Sequence, residues 1–170
     1  MNLQDFIRDI PDFPKAGVLF KDITPLLSNH EALIKCADTL AGYCPSDIKI
    51  DKVIGIEARG FILGGMIAER LGAGFIPVRK KGKLPYEVVS KSYGLEYGQD
   101  TLEIHIDAIK PGEHILIHDD VLATGGTAQA VYQLIEEVGG IVVQCNFIME
   151  LDFLNGRDKL NAPVVSVLNY

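Results

Sequence analysis

Two adjacent carboxylates, Asp119 and Asp120, stand directly before Val121-Leu122-Ala123-Thr124-Gly125-Gly126-Thr127. An apolar run, His114-Ile115-Leu116-Ile117-His118, precedes them, and a helical pattern follows from Thr127. A loop that turns into a helix start presents unpaired N–H groups and the positive end of the helix dipole, so Ala123 to Thr127 suits an anion. Gly125 and Gly126 let backbone approach phosphate oxygens, and Thr124 and Thr127 add hydroxyl donors. A Walker A loop requires a lysine that is missing from this stretch. Asp119 and Asp120 would repel phosphate, so they should face something neutral or cationic. Ribose hydroxyls are neutral donors, and a ribose C1 losing its leaving group becomes an oxocarbenium cation that carboxylates stabilise. Phosphate on one side and sugar hydroxyls on the other describe a ribose 5-phosphate.

A hydrophobic strand, two acids and then Val121 to Thr127 resemble the phosphoribosyl pyrophosphate motif of type I phosphoribosyltransferases. Three further stretches are similar to the adenine-specific branch of that family. They are Phe13-Pro14-Lys15-Ala16-Gly17-Val18-Leu19-Phe20-Lys21-Asp22-Ile23-Thr24-Pro25, Glu57-Ala58-Arg59-Gly60-Phe61, and the pair Arg79 to Pro85 with Ser92 to Gly98. They occur in the family's order and span most of the chain. The resemblance implies transfer of the phosphoribosyl group to adenine, giving AMP and pyrophosphate in purine salvage. Asp119, Asp120, Ala123, Thr124, Gly125, Gly126 and Thr127 would hold the ribose 5-phosphate. Ala58, Arg59 and Lys83 would face the departing pyrophosphate, whose charge needs cations. Mg²⁺ would be held mainly by substrate and water. Backbone groups at Leu19 and Lys21 would read the adenine edge, with Phe20 stacked on the ring. Glu96 would assist proton transfer, alongside Asp119, Asp120, Arg59 and Lys83 as the catalytic set. The resemblance also places a non-proline cis peptide at Glu57–Ala58. His118 departs from a usually aliphatic position and Lys21 from a frequent arginine. A histidine in a buried strand must find a partner or sit at the exposed end of the sheet.

Strand and helix patterns alternate around these residues. Lys52 to Ile56, Gly74 to Val78, Thr101 to Ile106, His114 to His118, Ile141 to Ile148 and Val164 to Leu168 read as strands, and Gly60 to Leu71 and Thr127 to Val138 as helices. Asn2 to Ile10 reads as a short helix stopped by Pro11, and Ser28 with Glu31 as a capping box before another helix. On Thr101 to Ile106 the alternation sets Leu102, Ile104 and Ile106 on one face and Glu103 and His105 on the other. Such alternation predicts an α/β fold, a single domain over 1–170 with a central, mainly parallel sheet flanked by helices. Ligands in such sheets bind at the carboxyl ends of strands, here the loops after Ile56, Val78 and His118. The resemblance adds a small N-terminal hood, 1–27, and a flexible catalytic loop, 81–98. That connection far exceeds the usual ~4–6 residues, and either a mobile lid or an ordered β-ribbon would fill it.

Composition narrows the class. In 170 residues, 48% are hydrophobic and 23% charged, an ordinary globular balance. A net charge of −7 disfavours wholesale binding to nucleic acid or an anionic membrane. Cys36, Cys44 and Cys145 form no CxxC pattern and suit a reducing cytoplasm. The polar start and the lack of a long apolar run give no sign of a signal peptide or membrane span. A metal hydrolase built on His114, His118, Asp119 and Asp120 is a rival, but strand residues four apart lie ~13 Å from each other. Two more rivals are a phosphoribosyltransferase for a 6-oxopurine or orotate, and a non-catalytic phosphoribosyl pyrophosphate sensor. Resemblance suggests a homodimer.

Overall fold

Strands covered on both faces need apolar residues at consecutive positions, and Val53 to Ile56 and Ile115 to His118 are buried without a break. The computed structural model describes residues 1–95 and 98–170. In chain order its elements are β1 (Arg8–Pro11), β2 (Leu19–Asp22), α1 (Thr24–Ser28), α2 (His30–Gly42), β3 (Lys52–Ile56), α3 (Gly60–Leu71), β4 (Gly74–Lys80), β5 (Val88–Leu95), β6 (Gly98–His105), β7 (His114–Leu122), α4 (Gly126–Glu137), β8 (Ile141–Glu150) and β9 (Val164–Asn169). Seven strands form one sheet in the order β5-β6-β4-β3-β7-β8-β9. β4, β3, β7, β8 and β9 run parallel, and β5 and β6 join as an antiparallel arm.

Period-two alternation divides the core between the two faces of the sheet. Ile54, Ile56, Ile115, Ile117, Cys145 and Phe147 pack with Val131, Leu134 and Ile135 of α4. Val53, Leu116 and Ile148 pack instead with Cys36 and Leu40 of α2 and Leu63 and Ile67 of α3. The structure is therefore the expected α/β domain with a mostly parallel sheet and helices on both faces.

Several local expectations change. Asn2 to Ile10 is not a helix: a 3-10 turn at Leu3–Phe6 gives way to β1, which pairs with β2 from Arg8↔Asp22 to Pro11↔Leu19. A helix that short is marginal in water, and the antiparallel ladder satisfies the backbone better. The capping box fails by one residue: Asn29, not Ser28, accepts from the Ala32 N–H at 3.0 Å. Glu103 does not face water. It is buried, and its carboxylate accepts from the Gly82 N–H at 2.9 Å. Ile106, conversely, lies past the end of β6 and is exposed. Within 81–98 the chain enters β5, which pairs antiparallel with β6, so Val88–Leu95 form one strand of a ribbon. Val89 and Tyr93 pack against the core on the α4 side, and Lys91 pairs with Glu137 of α4.

Candidate active site

The loop expected to hold phosphate starts where β7 stops. Gly125 sits at the N-cap of α4 with φ 78°, and no side chain caps the helix. The first-turn N–H groups of α4 therefore have no side-chain acceptor and remain available to an anion. Asp119 and the run Val121 to Ala128 enclose a cavity of about 90 Å³, a volume suited to a phosphate group rather than to a whole nucleotide. Thr127 is half-buried, with its hydroxyl 3.4 Å from the Tyr93 hydroxyl. Ala123, Thr124, Gly125, Gly126 and Thr127 are thus brought together as expected.

Asp119 and Asp120 form the floor beside this cradle. Asp120 is 3% exposed, and the Asp119 carboxylate accepts from the Asp120 N–H at 2.9 Å. Burial, together with the Asp120 charge, pushes the Asp119 carboxyl well above the ordinary range. Burial also raises Asp120, with the Arg59 guanidinium opposing it. Arg59 Nε lies 2.7 Å from Asp120 Oδ2, yet that oxygen lacks a correctly angled hydrogen bond. The contact is electrostatic and poorly aligned, so Arg59 is free to turn to a better acceptor.

The loop after β3 carries Arg59. Its Glu57–Ala58 peptide is cis, where the resemblance places it. Glu57 Oε2 accepts from the Lys80 N–H at 2.7 Å and from Arg79 Nε at 3.0 Å. Burial opposes its charge, but these donors outweigh it and hold the Glu57 carboxyl below its ordinary range. A Cβ on Gly60 would stand 2.9 Å from the His118 carbonyl and 3.0 Å from Asp119 Oδ1. Only glycine lets α3 begin this close to β7. Lys83 is exposed on the turn after β4, close enough to Glu57 to help hold that carboxyl down. Glu96 lies outside the described residues.

A second cavity of about 310 Å³ adjoins the carboxylates, lined by Val18, Leu19, Phe20, Lys21, Arg59, Asp119, Asp120, Val121, Ala123 and Leu151. Phe20 is half-buried, edge-on to Phe13 at 5.2 Å, with the Arg59 guanidinium 5.4 Å from its ring. β2 pairs with β1 alone, so its other edge carries backbone donors and acceptors without a ladder partner among the described residues. Lys21 Nζ is held by Asp9 at 2.7 Å and lies 4.0 Å from the Tyr170 ring centroid. A larger concavity of about 540 Å³ is lined by α2 residues alone and gathers none of these groups.

Val18 and Val121 lie in the stretches singled out in the sequence, with no role assigned to them, and sequence reasoning missed Leu151. Leu151 directly follows β8, and the strand-end rule applied to that strand would have found it. His118 is fully buried, and its Nδ1 lies 2.8 Å from Asn146 Oδ1, the partner a buried histidine requires. It points into the core, not into the site. Among the described residues no three His, Cys, Asp or Glu side chains converge on a metal position, which leaves the hydrolase reading without a centre.

The phosphoribosyl transferase domain family matches residues 22–169. An adenine phosphoribosyltransferase of Flavobacterium johnsoniae is 59% identical over all of both chains. The crystal structure of the Rhodothermus marinus adenine phosphoribosyltransferase superposes with TM-score 0.93 at 55% identity, covering 99% of this chain and 96% of that one. The Saccharomyces cerevisiae enzyme, complexed with an imino-altritol bisphosphate and adenine, gives TM-score 0.91 at 44% identity over 98% and 96% of the two chains. The chain belongs to the phosphoribosyltransferase family, in its adenine phosphoribosyltransferase branch.

Proposed function

We propose that this protein joins adenine to the ribose of phosphoribosyl pyrophosphate, forming AMP and releasing pyrophosphate. The observation that carries the reading is the contiguity of three parts: an anion cradle, a buried carboxylate pair and an apolar cavity bounded by an edge strand. A 5-phosphate fits Ala123 to Thr127, ribose hydroxyls fit Asp119 and Asp120, and a flat base fits between Phe20 and Leu151. Bond formation between adenine N9 and C1 accompanies cleavage of the C1–oxygen bond, whose electron pair leaves with pyrophosphate. The base loses its ring proton, a role the family resemblance gives to Glu96.

Charge explains the order of events. Before substrate binds, Arg59 holds down the raised pKa of Asp120. Pyrophosphate is a better acceptor for Arg59 and for the exposed Lys83. As Arg59 turns away, ribose hydroxyls donate to Asp119 and Asp120, and the cationic C1 that develops stabilises their charge. Mg²⁺ suits this donor set: it keeps several waters and takes one or two carboxylates plus substrate phosphates, not an all-protein cage. When bound, the ion offsets the charge accumulating on pyrophosphate.

Residues 81–98 act as the lid over the reacting centre, hinged beside Gly82, whose φ is 79°. Exclusion of water protects the activated ribose from hydrolysis. The enzyme works in the cytoplasm as a homodimer. Buried, unpaired Cys36 and Cys145 agree with that setting, and no helix among the described residues is long and apolar enough to cross a membrane. Incubation of purified protein with adenine, phosphoribosyl pyrophosphate and magnesium should give AMP and pyrophosphate in equal amounts. Pyrophosphate release without AMP would mean that water, not adenine, is the acceptor.

A further inference from the structure

The phosphate cradle has a wall that none of its own residues supplies. Beyond β8 the chain folds through two 3-10 turns, Asp152–Leu154 and Gly156–Lys159. Gly156 is buried there against the cradle, backbone to backbone. A Cβ on Gly156 would stand 2.2 Å from the Ala123 carbonyl oxygen and 3.0 Å from the Gly125 nitrogen. A Cβ on Gly125 would stand 2.3 Å from the Gly156 carbonyl oxygen. Neither glycine can carry a side chain while the two loops keep this approach. The φ of Gly156 lies outside the left-handed region, so only contact forbids alanine there.

Asp152 ties the start of the turn to Asn169 and Tyr170, and two further contacts tie the turn to the strands beside the cradle. Arg157 grips Glu150 bidentately, Nε to Oε1 at 2.8 Å and Nη2 to Oε2 at 2.5 Å. Glu150 is 1% exposed and sits opposite Leu122, the last residue of β7 before the cradle. The Leu151 N–H then donates to the Leu122 carbonyl at 2.9 Å. The turn is therefore anchored to the strand end from which the phosphate loop departs.

We propose that Gly156 is a positioning residue for the 5-phosphate: it backs the Ala123 to Gly125 backbone, and the Glu150–Arg157 pair keeps it there. This rests on reading Ala123 to Thr127 as the phosphate site. An added methyl must push the loops apart by more than ~1 Å before contact becomes ordinary, and misplacement on that scale costs as much as ~100-fold in a preorganised site. The base cavity shares Asp119, Val121 and Ala123 with the cradle and takes in Leu151 beside the turn, but a Cβ on Gly156 would meet Ala123 and Gly125, so the larger loss falls on the phosphate end.

Ribose 5-phosphate binding by calorimetry, with steady-state kinetics, tests this in four proteins. Gly156→Ala is expected to weaken ribose 5-phosphate binding and raise the KM for phosphoribosyl pyrophosphate at least ~10-fold, with the adenine KM within ~2-fold. Gly65→Ala, whose Cβ meets nothing within 4 Å, serves as the control and should match wild type. Arg157→Lys keeps the charge beside Glu150 but loses the fork, and should show the same selective loss, ~3-fold or more. It decides the matter if Gly156→Ala fails to fold. Wild-type ribose 5-phosphate affinity in the folded variants, or equal losses for both substrates, would overturn the positioning role. Failure of the wild-type enzyme itself to bind ribose 5-phosphate would overturn the reading of the cradle instead.

Discussion

Replacing His118 with glutamine is expected to remove a pH-dependent weakness from the centre of the sheet. Asn146 Nδ2 donates to the Leu40 carbonyl at 3.4 Å, which leaves Asn146 Oδ1 as the acceptor for His118 Nδ1–H at 2.8 Å. His118 Nε2 is buried with no partner. Protonation would place a second N–H and a charge in apolar surroundings, and burial pulls the imidazole down from 6.5 to about 4. The unfolded chain takes up this proton as pH falls through 6.5, whereas the folded chain refuses it until about pH 4. The associated stability is complete above pH 6.5 and is lost on acidification, amounting to about 2 kcal/mol between pH 7.5 and pH 5. Glutamine retains a donor for Asn146 and does not titrate. Asp119 and Asp120 work in the opposite sense, since their raised pKa favours the folded state as pH falls, but they are present in both proteins and cancel. Urea unfolding at pH 7.5 and pH 5, at equal protein concentration, gives the comparison. The wild type should lose about 2 kcal/mol more than His118→Gln on acidification. Equal losses, or a greater loss in the variant, would refute the reasoning.

Other outcomes follow from the same geometry. Gly126→Val should keep the fold, because its Cβ meets only Tyr93 Cδ2 at 3.9 Å, yet raise the KM for phosphoribosyl pyrophosphate at least ~10-fold by obstructing the phosphate; an unchanged KM would move the phosphate elsewhere. Arg59→Gln removes the cation that opposes the raised pKa values of Asp119 and Asp120, so the acid limb of residual kcat/KM should move to higher pH, and a fixed or lowered limb would deny the coupling. Asp119→Asn and Asp120→Asn should lower kcat if they stabilise cationic C1, and raise KM if they only bind hydroxyls; full activity in either variant would remove that residue from the site. Hydrogen exchange in residues 81–98 should slow when phosphoribosyl pyrophosphate and a non-reacting base analogue are added, and equal rates in both states would leave an immobile ribbon.

Sequence makes legible what lies close together in the chain. The boundaries of β3 and α3 follow from an unbroken apolar run closed by glycines. The candidate phosphate cradle is legible because its acids, glycines and threonines are contiguous between a strand and a helix. Arg59 is reached by resemblance, but its pairing with Asp120 depends on β3 and β7 lying side by side, which no local pattern states. Gly156 and Leu151 reach the site through the β7–β8 ladder from some thirty residues away in sequence, and glycine in a polar turn carries no mark of its contacts. Glu103 belongs to a strand alternation that predicts water on its side; the turn at Gly82 folds over it instead and supplies an N–H. β1 escapes local reading because a nine-residue polar segment shows its strand character only once β2 pairs with it.

The choice of base tests the central claim most directly. A site that donates to adenine N1 and accepts from its amino group would leave those polar groups unpaired against a 6-oxo base. Steady-state kcat/KM should be measured for adenine, hypoxanthine, guanine and orotate with phosphoribosyl pyrophosphate and magnesium. Adenine should exceed every other base by far more than ~10-fold, or ~1.4 kcal/mol. Turnover of hypoxanthine within ~10-fold of adenine would contradict an adenine-specific site and return the assignment to the wider phosphoribosyltransferase family.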